Sequence, residues 1–487
     1  MNHLVSSVLL ATTTAIAGVA AFVTTPATTT TPLTPVVQES TSPAACVETD
    51  TVSAIFAPET DQKIIEMVSR KIHQIGNERF SPRNRWPGPD NTPVTITYSF
   101  PSDGVIVPNA IFGGSAPNEL HAELTSQFGS EALWKSKFAQ VFQEWSDITG
   151  NIYIEVADDD APMGSSGPLH GGSDRGDVRI TAINIDGGSG VLAYNFFPGA
   201  GGGGDMVIDS ADFWAVPSND YRFFRNMVSH EHGHGAGLEH VCPANGTKLM
   251  EPFLNTGFDG LQHDDIRGAT HFYGDFFEPN ENSASAGHLG DFFTPGSEPF
   301  SGLVNMAMRD ASDVDFYSFY VDGPGSVDVT LSIVGEVYDN SSQNNDGSCD
   351  SGNIFDSTAL NDPELAVLDV NGTSVLASVD DNGFGGDESL NGVILPDAGT
   401  YYIRVRSVEY AGFAQIYDLN GSVTIDEIVV GCVADLNGDG VVDTADLGIL
   451  LGAFGGGGPV GDLNDDGTVD TADLGILLGV FGTCTLL

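Results

Sequence analysis

The sequence predicts a multidomain fold: an α+β domain first, an all-β sandwich second, and a small all-α unit at the C-terminus. Three observations carry this. Residues 93–275 mix β-branched, strand-like runs with long helical patterns. Residues 276–428 change to short alternating strands separated by Asp, Asn and Gly turns. Residues 433–484 contain one segment twice, 27 residues apart, counted from Asp435 to Asp462. At 487 residues the chain is too long for one domain, and two to four are expected.

The chain begins with an apolar, Ala- and Thr-rich run from Leu4 to Val23 that ends in small residues. Residues 1–23 therefore read as a secretory signal peptide, cut near Ala20 or Ala21, with a retained membrane anchor as the alternative. No other stretch is long and apolar enough to span a bilayer. Residues 24–58 read as a Thr/Pro-rich linker and residues 59–92 as a lead-in or pro-segment. Within the latter, Ile64, Ile65, Val68 and Ile72 share one side of a helix over 59–76.

The first domain opens with a strand at Val94–Phe100. A helix over 130–149 follows, with Trp134, Phe138, Val141, Phe142, Trp145 and Ile148 as its core stripe. Further strands are expected at Ile152–Val156 and Val178–Ile185. A helix should start near Ser218-Asn219-Asp220, all suited to an N-cap, and a last helix should span 264–274.

The helix after Asp220 carries His230-Glu231-His232-Gly233-His234-Gly235-Ala236-Gly237-Leu238-Glu239-His240. His230 and His234 are four apart, so both imidazoles project from one face. Two imidazoles at that spacing can share a zinc ion. Gly237 permits the turn that ends the helix and brings His240 back as third ligand. Three protein ligands leave a fourth position open, the mark of a catalytic site. Glu231 lies beside them as a candidate general base, and His232 points away from the other two, toward packing or solvent.

The motif and the Leu249-Met250-Glu251-Pro252 run that follows resemble the metzincins, zinc peptidases with a methionine turn beneath the metal. Met250 takes that place, and Pro252-Phe253-Leu254 would then line the main specificity pocket. Residues 93–274 resemble the matrixin branch in particular. The resemblance runs through Asp186-Gly187, Leu192-Ala193-Tyr194-Asn195-Phe196-Phe197-Pro198-Gly199, Gly201 to Gly204, Asp205, Asp209, Asp212 and Trp214. It implies calcium held by Asp186, Asp209 and Asp212. Where matrixins place two His that help hold a structural zinc, this chain has Tyr194 and Val207, so one zinc is expected rather than two. Val241 stands where a Ser is usual. Residues 82–90 occupy the place of the family's latency segment but lack its Cys, so no cysteine switch is expected there.

In the second domain, Glu278-Pro279-Asn280-Glu281-Asn282, the Asp313–Tyr317 run and Gly399–Val405 resemble the bacterial pre-peptidase C-terminal domain. Strands are expected at Asp315–Val321, Val327–Ile333, Glu364–Val370 and Tyr401–Val405, and calcium at the Asp380-Asp381-Asn382 turn. In the tail, Asp435, Asn437, Asp439, Asp443 and Asp446 fall at positions 1, 3, 5, 9 and 12 of an EF-hand-like loop, with Gly440 at 6. Asp462, Asn464, Asp466, Asp470 and Asp473 repeat the pattern, and each loop leads into a helix. The pair resembles a type I dockerin, which implies calcium ions and a cohesin-like partner; a stand-alone calcium-stabilised tail is the alternative. Five Cys allow at most two disulfides. Cys432 and Cys484, which flank the repeat, are the expected pair, while Cys46, Cys242 and Cys349 are unassigned.

A net charge of −50 argues against nucleic acid or anionic membranes as partners. With 41% hydrophobic and 17% charged residues, the acidity need not mean disorder. The expected function is that of a secreted zinc metalloendopeptidase that cleaves protein or peptide substrates through a zinc-activated water. Localisation at a cell surface or scaffold follows from the dockerin likeness. A non-catalytic, calcium-dependent adhesion or scaffold protein is the alternative, and a zinc hydrolase for carbohydrate-linked substrates a third reading. An intact Glu231 beside three His favours the first.

Overall fold

The computed structural model describes residues 52–75, 85–89, 91–165, 171–199, 203–242, 245–300, 302–341, 343–344, 346–426 and 433–483. The signal peptide, most of the linker, and Cys46, Cys432 and Cys484 lie outside the described residues.

The first domain contains, in chain order, β1 (Val52–Phe56), α1 (Gln62–Ile75), β2 (Thr95–Ser99), β3 (Ile106–Pro108), β4 (Ser115–Pro117), α2 (Leu120–Phe128) and α3 (Glu131–Thr149). β5 (Ile152–Glu155), β6 (Val178–Ile183), β7 (Val191–Phe196), β8 (Met206–Asp209), α4 (Arg222–Gly235) and α5 (His263–Tyr273) follow. Six strands form one mixed sheet in the order β1-β7-β8-β6-β2-β5. β5, β2, β6 and β8 pair in parallel, and β7 and then β1 add antiparallel at one edge.

The stripe on α3 packs as its spacing predicts. Trp134, Phe138, Val141, Phe142 and Trp145 are buried, with Phe100 edge-on to Trp134 at 5.1 Å and Tyr98 4.6 Å from Phe142. Side chains of this size contribute about 1.5–3 kcal/mol each on full burial, enough to fix α3 against the sheet. Ser130 Oγ caps the helix by accepting from the Leu133 N–H, and Gly150 ends it in the left-handed region at φ 67°.

Three expectations are corrected. The linker reading of 24–58 fails at its end: Val52–Phe56 is a fully buried strand. Five residues beside a long Thr/Pro tract give too short a signal, and β1 takes its strand form from pairing with β7. The lead-in is likewise built into the domain. Trp86 is buried and donates its Nε1–H to the Gly235 carbonyl at 2.9 Å. Finally, Ser218-Asn219-Asp220 do not cap α4. Asn219, Asp220 and Tyr221 turn through positive φ, and the helix begins without a side-chain cap. Its first turn is instead fixed by Arg225, which donates to the Asp220 and Asn219 carbonyls and pairs with Asp259 and Glu144.

The second domain is the expected sandwich. One sheet orders Gly296–Pro299, Gln415–Ile425, Gly325–Val334 and Glu388–Leu395, with Leu303–Met308 also on Gln415–Ile425. The other orders Val375–Val379, Asn361–Leu368, Gly399–Tyr410, Val314–Val321 and Gly287–Phe292. Inward residues of both, such as Phe319, Val329, Leu365, Ile403 and Leu419, share one core. The tail holds α6 (Thr444–Ala453) and α7 (Thr471–Gly479) over a small core of Ala434, Val442, Leu450, Val469 and Leu477. It is not purely helical, because Val441–Val442 pairs antiparallel with Gly482–Thr483.

The two larger domains are joined covalently. Cys242, just after the zinc motif, forms a disulfide with Cys349 of the sandwich, 107 residues on. Two Cys left unassigned by spacing are thus paired, because a long sandwich loop returns to the first domain.

Where the sandwich begins, Asp275, Glu278, Asp313 and Asp315 are buried together. Asn91 Nδ2 lies 3.3 Å from Asp313, and the Tyr417 hydroxyl donates to Asp315 at 2.5 Å. Burial pushes Asp275 up to about 6, Asp313 to about 7 and Glu278 to about 9, and mutual repulsion adds to the last two. Arg309 opposes this at Asp313. A carboxyl whose folded pKa exceeds its unfolded value stabilises the fold below about pH 4, and that contribution is lost as pH rises through the folded value. In chelator, the melting temperature should therefore fall as pH rises through the range of about 6 to 9, and Glu278→Gln should flatten the upper part of the fall. A melting temperature that climbs through this range would contradict the account.

Candidate active site

α4 carries His230, Glu231, His232 and His234 into the domain centre, all buried. The chain turns at Gly237, with φ 105°, and returns His240 to the same point. The three Nε2 atoms lie 3.0 Å (His230–His234), 3.1 Å (His230–His240) and 3.1 Å (His234–His240) apart. Each Nδ1 already faces an acceptor: the Leu249 carbonyl at 2.7 Å, the Leu238 carbonyl at 2.7 Å and Gln343 Oε1 at 2.8 Å. An imidazole donating from Nδ1 presents a bare lone pair at Nε2. Three such lone pairs converge here and repel one another unless a cation joins them. Burial and the neighbouring imidazoles hold His230 and His234 well below the ordinary pKa, so both stay neutral, the form that ligates. Nitrogens sharing one zinc at tetrahedral angles lie about 3.3–3.4 Å apart. The donor set fits zinc with a shift of a few tenths of an ångström.

Glu231 is buried beside the triad, and neither carboxylate oxygen has a hydrogen-bond partner of ordinary geometry. Burial pushes its pKa well up, and the backbone N–H of Ile55 on β1 partly opposes this. That N–H is near enough to act on the charge without closing a full hydrogen bond. His232 is a packing residue, as its direction on the helix predicts. Its Nε2 meets the Tyr153 hydroxyl at 2.7 Å, and its ring sits edge-on to Phe142 and Trp145. Met250 lies buried against α4, so close that a Cβ on Gly233 would come within 2.4 Å of its sulfur. A side chain at position 233 would have to push the Met250 thioether aside.

Two features escaped sequence reasoning. Gln343 reaches the site from the sandwich, and the Cys242–Cys349 disulfide pins its loop there. The Cys242 N–H also donates to the Ser341 carbonyl at 3.0 Å. No local pattern marks a residue 103 positions from its partner.

The three acids of the first-domain calcium reading are neighbours that feel one another's charge, but their carboxylate oxygens do not all lie within 4.8 Å of one another. The Asp186 N–H donates to Asp209 at 3.2 Å and the Ser189 N–H to Asp212 at 2.8 Å. Burial, helped by their mutual charge, raises Asp186 and Asp212 to about 6. Asp212 Oδ2 is buried without a partner. Tyr194 and Val207 sit opposite each other on β7 and β8 in an apolar cluster, and the Tyr194 hydroxyl donates to the Pro108 carbonyl at 2.8 Å. In the tail, Asp435 accepts from the Gly438 and Gly440 N–H groups, and Asp446 from Leu436, Asn437 and Asp443. The second loop repeats this: Asp462 accepts from the Asp466 and Gly467 N–H groups, and Asp473 from Leu463, Asn464 and Asp470. Asn437 and Asn464 donate to Asp439 and Asp466, while Asp443 and Asp470 cap α6 and α7. In the sandwich, carboxylate oxygens of Glu278, Asp313 and Asp315 converge.

Residues 122–274 match the matrixin family, and residues 313–407 match the bacterial pre-peptidase C-terminal domain. The molecule is thus multidomain, with a matrixin-like domain of helices on a mixed sheet and a β-rich pre-peptidase C-terminal domain. The chain is 33% identical to interstitial collagenase of Bos taurus over 142 residues, which is 29% of this chain and 28% of that protein. It is 34% identical to interstitial collagenase of Sus scrofa over 143 residues, 29% and 28% of the two chains. With stromelysin-3 of Mus musculus it shares 31% over 137 residues, 28% of this chain and 26% of that one. The matched part thus spans little more than a quarter of each relative. Among the described residues, no helix is long and apolar enough to cross a membrane.

His230 and His234 lean on backbone carbonyls, which substitution cannot remove, whereas His240 leans on a side chain. Gln343→Ala should therefore weaken zinc binding by about 10–100-fold, the usual cost of losing a ligand's outer partner. Competition against a chromophoric chelator measures this, and unchanged affinity would mean that Gln343 does not orient His240.

Proposed function

We propose that the chain is an exported zinc metalloendopeptidase, with His230, His234 and His240 as zinc ligands and Glu231 as the proton carrier. The observation that carries this is the convergence of three bare Nε2 atoms beside a buried carboxylate without partners. When bound, zinc supplies Lewis-acid polarisation of a peptide carbonyl and makes water a stronger acid. Glu231 takes the proton of the attacking water and gives it to the leaving nitrogen. A carboxyl pushed up by burial is suited to both transfers. The β7 edge and the Pro252–Leu254 wall hold an extended substrate between them.

Export is supported by the apolar run at Leu4–Val23 and by a disulfide, a bond that persists in oxidising compartments. One zinc per first domain is the expected content, since Tyr194 and Val207 offer no second set. Asp186, Asp209 and Asp212 are the calcium ligands of that domain. The tail is a dockerin-like unit whose two loops take calcium and whose surface meets a cohesin-like partner. The tandem loops alone support this last part.

Two variants separate chemistry from metal binding. Glu231→Gln keeps shape but cannot accept the proton, so peptide hydrolysis should fall ~10²–10⁴-fold with one zinc still bound. His234→Ala should lose both metal and activity. Metal analysis with a peptide-library digest reads both. Wild-type hydrolysis by Glu231→Gln at full zinc occupancy, or two zinc ions in the wild-type domain, would sink the corresponding claim.

A further inference from the structure

The peptide cleft already has an occupant. β1 lies along β7 in antiparallel register, with Ser53 opposite Asn195, Ala54 opposite Tyr194 and Ile55 opposite Ala193. At Phe56 the register shifts and the chain is gripped from the other side as well. The Phe56 N–H donates to the Pro252 carbonyl at 3.0 Å, and the Leu254 N–H donates back to the Phe56 carbonyl at 3.1 Å. The Ala57 N–H then returns to the β7 side and donates to the Gly190 carbonyl at 2.8 Å. Backbone bonds on two edges hold an extended segment regardless of its side chains, the mode by which a sheet edge captures a peptide.

The side chains alternate as the strand period requires. Val52, Ala54 and Phe56 pack on one face with Ile65 and Val68 of α1. Ile55 enters the core on the other face, in a cluster that also includes Val228 and Met250, with Ala57 packed against it. The backbone N–H that bears on Glu231 is that of Ile55. A carboxyl that delivers a proton to a leaving nitrogen must face that nitrogen. The bond on its N-terminal side runs from the Ala54 carbonyl carbon to Ile55 N.

We propose that Val52–Ala57 lies in the cleft as a substrate does, and that Ala54–Ile55 is a bond this enzyme cuts in its own chain. The inference rests on the peptidase reading. The water oxygen adds to the Ala54 carbonyl carbon and the C–N bond breaks. Both water protons end on Ile55 N, the first carried there by Glu231, leaving an Ala54 carboxylate and an Ile55 ammonium. α1 tethers the segment in place. It packs under the sandwich loop so closely that a Cβ on Gly347 would come within 2.4 Å of Ile65 and 2.7 Å of Ser69. A tethered segment faces the site at an effective concentration on the order of millimolar, so the cut should be intramolecular.

The test uses the full chain, prepared metal-free as wild type, Glu231→Gln, Ile55→Asp and Phe56→Pro, with zinc then added. Intact mass and N-terminal sequencing follow the chain at two protein concentrations. The wild type should gain an N-terminus at Ile55 at a rate independent of concentration. Glu231→Gln should stay whole, and Ile55→Asp should be cut at least about tenfold more slowly, since its charge cannot enter an apolar pocket. Backbone amide exchange on metal-free Glu231→Gln gives a reading that needs neither zinc nor activity. Phe56 and Ala57 should be protected, and fast exchange at both would overturn the proposal. Phe56→Pro cannot donate to Pro252, so it opens the cleft to a quenched fluorescent Val-Ser-Ala-Ile-Phe-Ala peptide. If Phe56→Pro cuts that peptide while the wild-type Ala54–Ile55 bond stays whole, or another bond is cut first, the inference fails and the peptidase reading stands. If no form cuts the peptide or itself, the peptidase reading fails and takes the inference with it.

Discussion

Three imidazole lone pairs that point at one another in a buried site are the constraint on which the rest of the first domain depends. Such an arrangement is unfavourable unless a cation neutralises it, so every neighbouring element must hold the rings in place. α4 supplies two rings at one helical turn, and Gly237 returns the third. The Leu249 and Leu238 carbonyls fix two of the ring planes, and Gln343 fixes the third. Met250 closes the floor against Gly233, and Trp145 braces the helix through Ser229 at 3.0 Å. The aromatic stripe of α3 thus serves the site at one remove, as the wall that keeps α4 from moving.

That constraint explains why the domains are not independent beads. His240 lies beyond the end of α4, on a turn with little structure of its own, and its ring needs an outside acceptor. The sandwich provides it. Its loop carries Gln343 to the ring, and the Cys242–Cys349 bond ties the loop to the segment that follows His240. A tie across 107 residues removes more chain entropy than a short one would, though only by a logarithmic margin. A module that resembles an accessory unit therefore completes the first domain's site.

Much of this was legible in the sequence, and the boundary has a physical cause. His230, Glu231, His234 and His240 could be read because one helix and one glycine turn fix their relative positions. The α3 stripe and the paired tail loops were legible for the same reason: their partners are a few residues apart. β1 was not, because a five-residue strand gains its stability from β7, about 140 positions away. Gln343 and the disulfide were hidden likewise, since long-range pairing leaves no period in the sequence. The misread start of α4 has another origin. Ser218, Asn219 and Asp220 suit a cap, but Arg225 organises that turn through backbone carbonyls, so their side chains are not needed for one.

The central claim is that the three histidines form one open zinc site. X-ray absorption on the zinc-loaded full chain tests it most directly. The account predicts a first shell of three nitrogens at about 2.0–2.1 Å completed by light-atom scattering from solvent or carbonyl oxygen. A sulfur in the first shell, a fourth imidazole, or a zinc that stays bound when His230 is replaced would contradict it.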